Sequence, residues 1–259
     1  VTVNDSFKPV TRFWDRITHP AQILSSLPQA ISTLLDPADC GPAFIGLPQD
    51  ITAEAFDYPV AFFETKIHEI ARPRPDLGQL AEAAKLIRSA KKPVIIAGGG
   101  VHYSRAEKEL ADFAQMFGIP VVETVAGKSS LVASHPLYSG PLGVTGAEAA
   151  NKVVSAADVV LAVGTRLEDF TTGSWTLFDP ETKFVGINAA RFDAIKHQSL
   201  PLVGDARESL KDLTAELSGW SAEESWTKKS REHRVELQAF VDGRTADDGV
   251  WPPSYAQLV

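Results

Sequence analysis

Short apolar runs without polar alternation constrain this chain more than any other feature. The clearest are Pro93-Val94-Ile95-Ile96-Ala97, Val159-Val160-Leu161-Ala162-Val163 and Lys183-Phe184-Val185-Gly186-Ile187. A strand that is apolar at nearly every position is buried on both faces, which places it in a parallel sheet covered by helices on both sides. Ile119 to Glu123 and Leu200-Pro201-Leu202-Val203 read as two further strands. Helical periodicity fills the intervals. Leu77 to Ala90 follows Asp76, a good N-cap, and Ser104 caps a helix running to about Phe117, where Gly118 supplies the stop. Ala147 to Ala156 and Ala206 to Leu217 complete the set, with Asp205 in the capping position of the last. The expected fold class is therefore α/β: a doubly wound parallel sheet with helices on both faces. Such sheets hold nucleotides at the carboxyl ends of their strands.

This core is flanked by two segments of different character. In the first, Val1-Thr2-Val3 reads as a strand already under way. An apolar helical stripe follows through Ile23, Leu24, Leu27, Ala30, Ile31, Leu34 and Leu35, opened by Pro20 and ended by Asp36-Pro37. Gly41-Pro42 then starts a strand, Ala43 to Leu47, closed by Pro48-Gln49-Asp50. One helix and one strand cannot bury their apolar faces alone. Ala71-Arg72-Pro73-Arg74-Pro75-Asp76 fits an extended boundary. In the last segment, Lys228 to Phe240 fits a helix, Asp242 to Pro253 an extended linker, and Ser254 to Val259 the first turn of an amphipathic helix. The expected divisions are residues 1–70, 71–217 and 218–259, and both ends suggest a piece of a longer protein.

Composition narrows the function classes. The formal net charge is −8, with 25 Lys and Arg against 33 Asp and Glu, and no basic face marks a nucleic-acid binder. No apolar run is long enough to span a bilayer and no secretory leader is visible. The single cysteine, Cys40, excludes an internal disulfide, fits a reducing cytoplasm and reads as a small buried apolar residue.

Two clusters lie where an α/β sheet binds ligands. Gly98-Gly99-Gly100 follows one strand and precedes a helix, so its backbone can approach a phosphate; the competing reading, and the simpler one, is a tight turn needing positive φ. Gly164-Thr165-Arg166 follows another strand, where Arg166 suits a phosphate or carboxylate, or else bridges loops to Glu168 or Asp169. A ribose-binding acid is expected after a later strand, but Asn188 stands there, able to bond a hydroxyl without supplying the charge; Asp205, after the last strand, is the remaining candidate, and the cap of the closing helix is its preferred reading. The six histidines show no metal spacing, and His102 and His135 read as loop residues. Ser129-Ser130 has no base beside it in sequence, and Trp175 reads as packing on a neighbouring domain.

The residues also match a family in order and spacing. The match runs through Ile95-Ile96-Ala97-Gly98-Gly99-Gly100-Val101, then Phe117-Gly118-Ile119-Pro120-Val121-Val122-Glu123-Thr124 and Gly127-Lys128. It continues through His135-Pro136-Leu137, Gly140-x-x-Gly143 and Ala157-Asp158 to Gly164-Thr165-Arg166. Together these resemble the central domain of thiamine-diphosphate enzymes of the acetolactate synthase type. The resemblance covers essentially the whole chain. It implies a Rossmann-like, DHS-like NAD/FAD-binding type domain at 71–217. It further implies the end of a pyrimidine-binding domain at 1–70 and a linker at 218–259 into a pyrophosphate-binding domain absent from this sequence.

Asp57-Tyr58-Pro59, Gly173-Ser174-Trp175-Thr176, Lys196-His197, Leu200 to Asp205 and Trp251 to Tyr255 are similar to members that hydrolytically open a cyclic 1,2-diketone in myo-inositol catabolism. The resemblance implies thiamine diphosphate and Mg²⁺ in the whole enzyme, a small-molecule substrate, and a homodimer or homotetramer. The family's Gly-Asp-Gly motif is not in this sequence; Gly204-Asp205-Ala206 is nearest. No catalytic or metal-binding residue is therefore expected here, and the stretch is expected to be inactive by itself. Gly98, Gly99, Gly100, Gly164, Thr165, Arg166 and Asn188 are read as a vestigial nucleotide groove. The alternative is an FAD- or ADP-binding central domain of a carboligase.

Overall fold

The computed structural model describes residues 2–258. The chain divides into two compact units, Val1–Arg72 and Pro73–Val259.

In the first unit, strands β1 (Phe13–Arg16) and β2 (Ala43–Gly46) pair in parallel, flanking helix α1 (Ile23–Leu35), and a short helix α2 (Gln49–Thr52) follows. Strand β1 is not legible in sequence, because Asp15 and Arg16 break its apolar pattern. Asp15 is held by the Ser26 hydroxyl and by the Gln22 amide at 2.9 and 3.0 Å, which ties β1 to α1. Phe44 stacks between Phe7 and Trp14, with centroids 4.6 and 6.2 Å away. Two expectations are corrected in this unit. Thr2 and Val3 are not in a strand: Val3–Val10 is a 3-10 helix, begun by a reciprocal cap in which the Thr2 N–H donates to Asp5 Oδ2 at 2.7 Å. Val1 lies outside the described residues. Cys40 is exposed rather than buried. It follows a surface turn in which Asp36 Oδ1 accepts from the amides of Ala38 and Asp39, at 2.8 and 2.6 Å.

The second unit is built on a six-stranded parallel sheet. Its strands are β3 (Pro93–Ala97), β4 (Val121–Glu123), β5 (Tyr138–Pro141), β6 (Val159–Val163), β7 (Lys183–Asn188) and β8 (Leu200–Val203). They lie in the order β5-β4-β3-β6-β7-β8. Its helices are α3 (Leu77–Ser89), α4 (Gly100–Ser104), α5 (Glu107–Phe117), α6 (Glu148–Ser155), α7 (Asp169–Thr172), α8 (Arg191–Ala194), α9 (Ala206–Glu216) and α10 (Glu224–Thr245).

The period of two along a strand sorts its side chains onto opposite faces. Ile95, Ala97, Leu161 and Val163 join Leu80 and Ile87 of α3, Leu110, Phe113 and Phe117 of α5, and Leu210 and Leu213 of α9 in one core. Val94, Ile96, Val160 and Ala162 join Val153 and Val154 of α6 and Trp226 of α10 in the other. Every residue of β3 and β6 is buried, as their unalternated composition requires. Removing each large side chain from water contributes roughly 1.5–3 kcal/mol.

The caps explain where the helices start. Asp76 Oδ1 accepts from the amides of Gly78 and Gln79, and Asp205 Oδ1 from those of Arg207 and Glu208. Ser104 does not cap the helix that follows. It ends α4, Arg105 turns the chain at φ 51°, and the Ser104 hydroxyl accepts instead from the Ala206 amide at 3.2 Å. Strand β5 is the one strand of this sheet that the sequence hides. It sits at the edge, is half glycine and proline, and pairs with β4 through a register shift.

The unit also runs past the boundary expected at 217. Ala222 and Trp226 are buried, and the Trp226 indole N–H donates to the Pro93 carbonyl at 2.8 Å. Helix α10 continues to Thr245, so Asp242 to Thr245 is helical rather than extended. Beyond it, Tyr255–Gln257 forms one 3-10 turn, not the start of an amphipathic α-helix; Val259 lies outside the described residues.

Ser209, on the second turn of α9, is fully buried, and its hydroxyl is the one buried side-chain polar atom without a hydrogen-bond partner among the described residues. Removing an unsatisfied hydroxyl removes a desolvation penalty. Ser209→Ala is expected to leave stability unchanged or raise it by up to about 1 kcal/mol, read as the midpoint of urea unfolding.

Candidate functional site

The strand order reverses between β3 and β6, so the carboxyl ends of these strands flank the crevice where doubly wound sheets bind ligands. Both glycine clusters are there. The Gly98 N–H donates to the Val163 carbonyl and the Gly100 N–H to the Gly164 carbonyl, each at 2.8 Å, and the Gly164 N–H donates to the Ile187 carbonyl at 2.8 Å. The loops after β3 and β6 thus bond to each other directly, backbone against backbone.

The need for glycine follows from this approach. A Cβ on Gly98 would sit 2.4 Å from the Gly164 carbonyl oxygen, and one on Gly100 would sit 2.5 Å from Gly164 Cα. Gly164 itself has φ +60°. The loop after β4 closes the third side: a Cβ on Gly127 would lie 2.1 Å from the Ala97 carbonyl oxygen. The middle residue of the triplet, Gly99, faces Ala126 at a looser 3.3 Å.

The remaining groove residues are engaged within the chain. Thr165 is buried; its Oγ1 accepts from the Leu167 amide at 3.2 Å, and its carbonyl accepts from Asn188 Nδ2, also at 3.2 Å. Asn188 Oδ1 accepts from the Ala190 amide at 3.0 Å, so its side chain pins two loops. Arg166 is exposed and bridges Glu168 at 3.8 Å and Asp193 at 3.6 Å. The Glu168 bridge is one of the two anticipated; the second partner is Asp193 rather than Asp169. Asp193 also holds Lys196 at 2.7 Å.

Beside the crevice, the structure assembles a polar cluster that the sequence does not reveal. Glu123 ends β4 in a buried position, and its carboxylate accepts from the Leu131 amide at 2.8 Å and the Ser129 amide at 3.2 Å. Burial and the Glu123 carboxylate push the Tyr138 phenol up to about 12. His102 belongs to α4, not to a loop. Its Nδ1 is 2.8 Å from Glu107, and its Nε2 is 3.0 Å from the Lys128 carbonyl and 3.4 Å from Ser130 Oγ. Ser130 therefore has a histidine beside it, supplied by another element. The arrangement is not a nucleophile pair, because the buried Ser130 hydroxyl donates to the Gly127 carbonyl at 2.6 Å. The available sequence signal was a carboxylate ending an otherwise apolar strand, at Glu123.

Trp175 packs within its own unit. It stacks on His197 with centroids 3.5 Å apart and contacts Phe178 and Phe184. Burial and the Lys196 charge lower the His197 pKa. Among the described residues, no group of three or more His, Cys, Asp or Glu side chains is placed to hold a metal ion. Asp205, in the nearest match to a Gly-Asp-Gly motif, is engaged as the cap of α9. No helix among the described residues is long and apolar enough to cross a membrane.

A doubly wound parallel sheet with a glycine-lined switch point defines a domain of the dinucleotide-binding architecture. The family model for the central domain of thiamine pyrophosphate enzymes matches residues 80–213, and the chain belongs to that family. It is 45% identical to a 3D-(3,5/4)-trihydroxycyclohexane-1,2-dione hydrolase of Clostridium perfringens over 227 residues, 87% of this chain and 36% of the relative. It is 47% identical to the protein of that name from Halalkalibacterium halodurans over 224 residues, 86% of this chain and 35% of the relative. An X-ray structure assigned to a thiamin diphosphate-dependent enzyme from Mycobacterium smegmatis superposes with a TM-score of 0.68 at 25% identity, over 84% of this chain and 41% of that one. The chain thus spans little more than a third of the length of the curated relatives it matches.

Proposed function

We propose that this chain is the central part of a thiamine diphosphate-dependent hydrolase that cleaves a C–C bond of a cyclic 1,2-diketone in myo-inositol catabolism, in the cytoplasm. The observation that carries this reading is the extent of the likeness to the trihydroxycyclohexane-dione hydrolases. It runs over 227 residues, well beyond the 80–213 common to the wider family.

In this reading residues 1–70 close a pyrimidine-binding domain, 71–217 form the central domain, and 218–259, whose start packs onto that domain through Ala222 and Trp226, lead toward a pyrophosphate-binding domain. The first unit supports the assignment. Ile17 and Ala30 are the buried hydrophobic residues it contributes among those described, while Val60, Phe63 and Ile67 are exposed. A two-stranded parallel sheet with so little core needs further elements to cover it.

Thiamine diphosphate supplies carbanion stabilisation wherever it binds in such an enzyme. The residues of this chain do not fit the cofactor or its Mg²⁺: Asp205 caps α9, and no cation-holding cluster lies among the described residues. The role proposed for this domain is to space and orient the catalytic domains of the whole protein, a homodimer or homotetramer. Gly98, Gly99, Gly100, Gly164, Thr165, Arg166 and Asn188 are then a vestigial groove, since their loops bond to one another. FAD or ADP would have to displace those loop contacts.

Calorimetric titration of the chain with thiamine diphosphate and Mg²⁺ is expected to give no saturable heat, and FAD or ADP no upward shift in Tm. Binding of thiamine diphosphate in the micromolar range would defeat the spacer assignment. The substrate assignment fails if the whole protein, supplied with both cofactors, leaves trihydroxycyclohexane-1,2-dione intact.

A further inference from the structure

His102 stands where three pieces of the carboxyl edge meet: its own helix α4, the start of α5, and the loop from Thr124 to Leu131 after β4. Both ring nitrogens face oxygen acceptors, Nδ1 the Glu107 carboxylate at 2.8 Å and Nε2 the Lys128 carbonyl at 3.0 Å. A neutral imidazole has one N–H, so it can serve only one of them; the doubly protonated ring serves both. We propose that His102 is a proton-operated latch, which when charged ties the 124–131 loop to α4 beside the switch-point crevice and on losing its proton frees that loop next to Gly98.

The surroundings favour the charged form. The charges acting on the ring are carboxylates, Glu107 from α5 and Glu123 from β4, and the hydrogen bond that the ring donates to Glu107 is the chief cause of a pKa raised above the ordinary histidine value. The Lys128 carbonyl adds to this, while partial burial opposes it. Tyr138, on β5, stays neutral beside Glu123 until strongly alkaline pH. Helix α9 meets α4 through the Ala206 amide on Ser104.

Besides its own turn bonds, from the amides of Gly127, Lys128 and Ser130 to Thr124, Val125 and Gly127, the loop is tied to its surroundings at the following points. The Thr124 amide donates to the Ala97 carbonyl at 3.0 Å, Glu123 takes the Ser129 and Leu131 amides, and Gly127 rests on the backbone of Ala97 and Gly98. When the ring is neutral, the Ser130 hydroxyl, 3.4 Å from Nε2, is the donor within reach. Turning to the ring takes it from the Gly127 carbonyl, which it holds at 2.6 Å. The Glu107 carboxylate, a stronger acceptor than a carbonyl, keeps the one remaining proton on Nδ1, so with or without the Ser130 turn the loop loses a bond next to the crevice. The sign follows from the raised pKa: the latch is fully closed below the ordinary histidine range near 6.5 and opens as pH rises through the folded value.

The test is an NMR titration of the ¹⁵N-labelled chain from pH 5.5 to 9, following the His102 ring and the amides of Lys128 to Leu131. The ring midpoint is expected above about 6.5, with the loop amides titrating at the same midpoint. Protection of the Ser130 amide, corrected for intrinsic exchange, should fall about tenfold across it. Glu107→Gln is expected to move both midpoints down together by about one pH unit. His102→Ala should leave the loop amides at their high-pH positions throughout. If that variant does not fold, Glu107→Gln, changed at a half-exposed side chain, still carries the test. A ring midpoint at or below the ordinary value, or loop amides indifferent to it, would overturn the latch.

Discussion

Gly164→Ala is expected to cost about 3 kcal/mol of stability, one of the largest effects available from a single methyl group in this chain. Two physical terms add. The residue holds φ +60°, where an alanine is disfavoured by about 1 kcal/mol. The new Cβ would also lie 2.5 Å from Gly100 Cα and 2.8 Å from its carbonyl carbon, and backbone cannot swing aside as a side-chain tip does. Overpacking of this kind costs roughly 1–3 kcal/mol. Urea unfolding followed by tryptophan fluorescence measures the loss. Arg166→Ala, two residues on, removes an exposed side chain with long ion pairs and is expected to change stability by less than about 0.5 kcal/mol. A glycine retained for a phosphate would behave differently: alanine at 164 would cost the ligand-free protein only the roughly 1 kcal/mol of its backbone conformation.

Trp226→Ala is expected to cost about 3–5 kcal/mol. The indole is almost wholly buried among Val94, Val153, Val160 and their neighbours, and its N–H satisfies the Pro93 carbonyl at the start of β3. Trp226→Phe separates the two contributions, since it retains most of the apolar area and strands that carbonyl. It should cost about 1–3 kcal/mol. Val235→Ala on the same helix, at an exposed position, is expected to have little effect. Guanidinium unfolding read by far-UV circular dichroism distinguishes the three. If Trp226→Ala proves as mild as Val235→Ala, the first turns of α10 are an appendage rather than part of the core. The sequence reading, which ended the domain at 217, would then describe the molecule better than its contacts do.

Most of the central sheet is legible in the chain, and the reason is burial on both faces. Strands β3, β6 and β8 fall at the residues their composition indicates, because short apolar runs bounded by Lys, Asp and Gly leave no other register. The hidden strands lack that signature. In β1 two charged residues follow two aromatics, and β5 contains Gly140 and Pro141 at a sheet edge. Helix starts were readable where a carboxylate caps them, at Asp76 and Asp205. They were misread at Ser104, whose hydroxyl has a tertiary partner 102 residues away.

The crevice shows the same division. Glycines at 98, 100, 127 and 164 announce that something comes close to the backbone, but they cannot say what. Here it is other backbone from the same sheet edge. The clustering of His102, Glu107, Ser130 and Glu123 depends on four elements meeting, and no spacing along the chain encodes it.

The meshing of three loops at the switch point also bears on how such a domain can change over time. Because each glycine is fitted against the main chain of another loop, no side chain can be enlarged there without forcing a neighbour's backbone to retreat. Stepwise substitution is therefore a poor route from this closed crevice to an open one that admits a nucleotide. Lengthening or shortening a loop moves a whole segment at once, and that is the kind of heritable change by which this edge can acquire or lose a ligand.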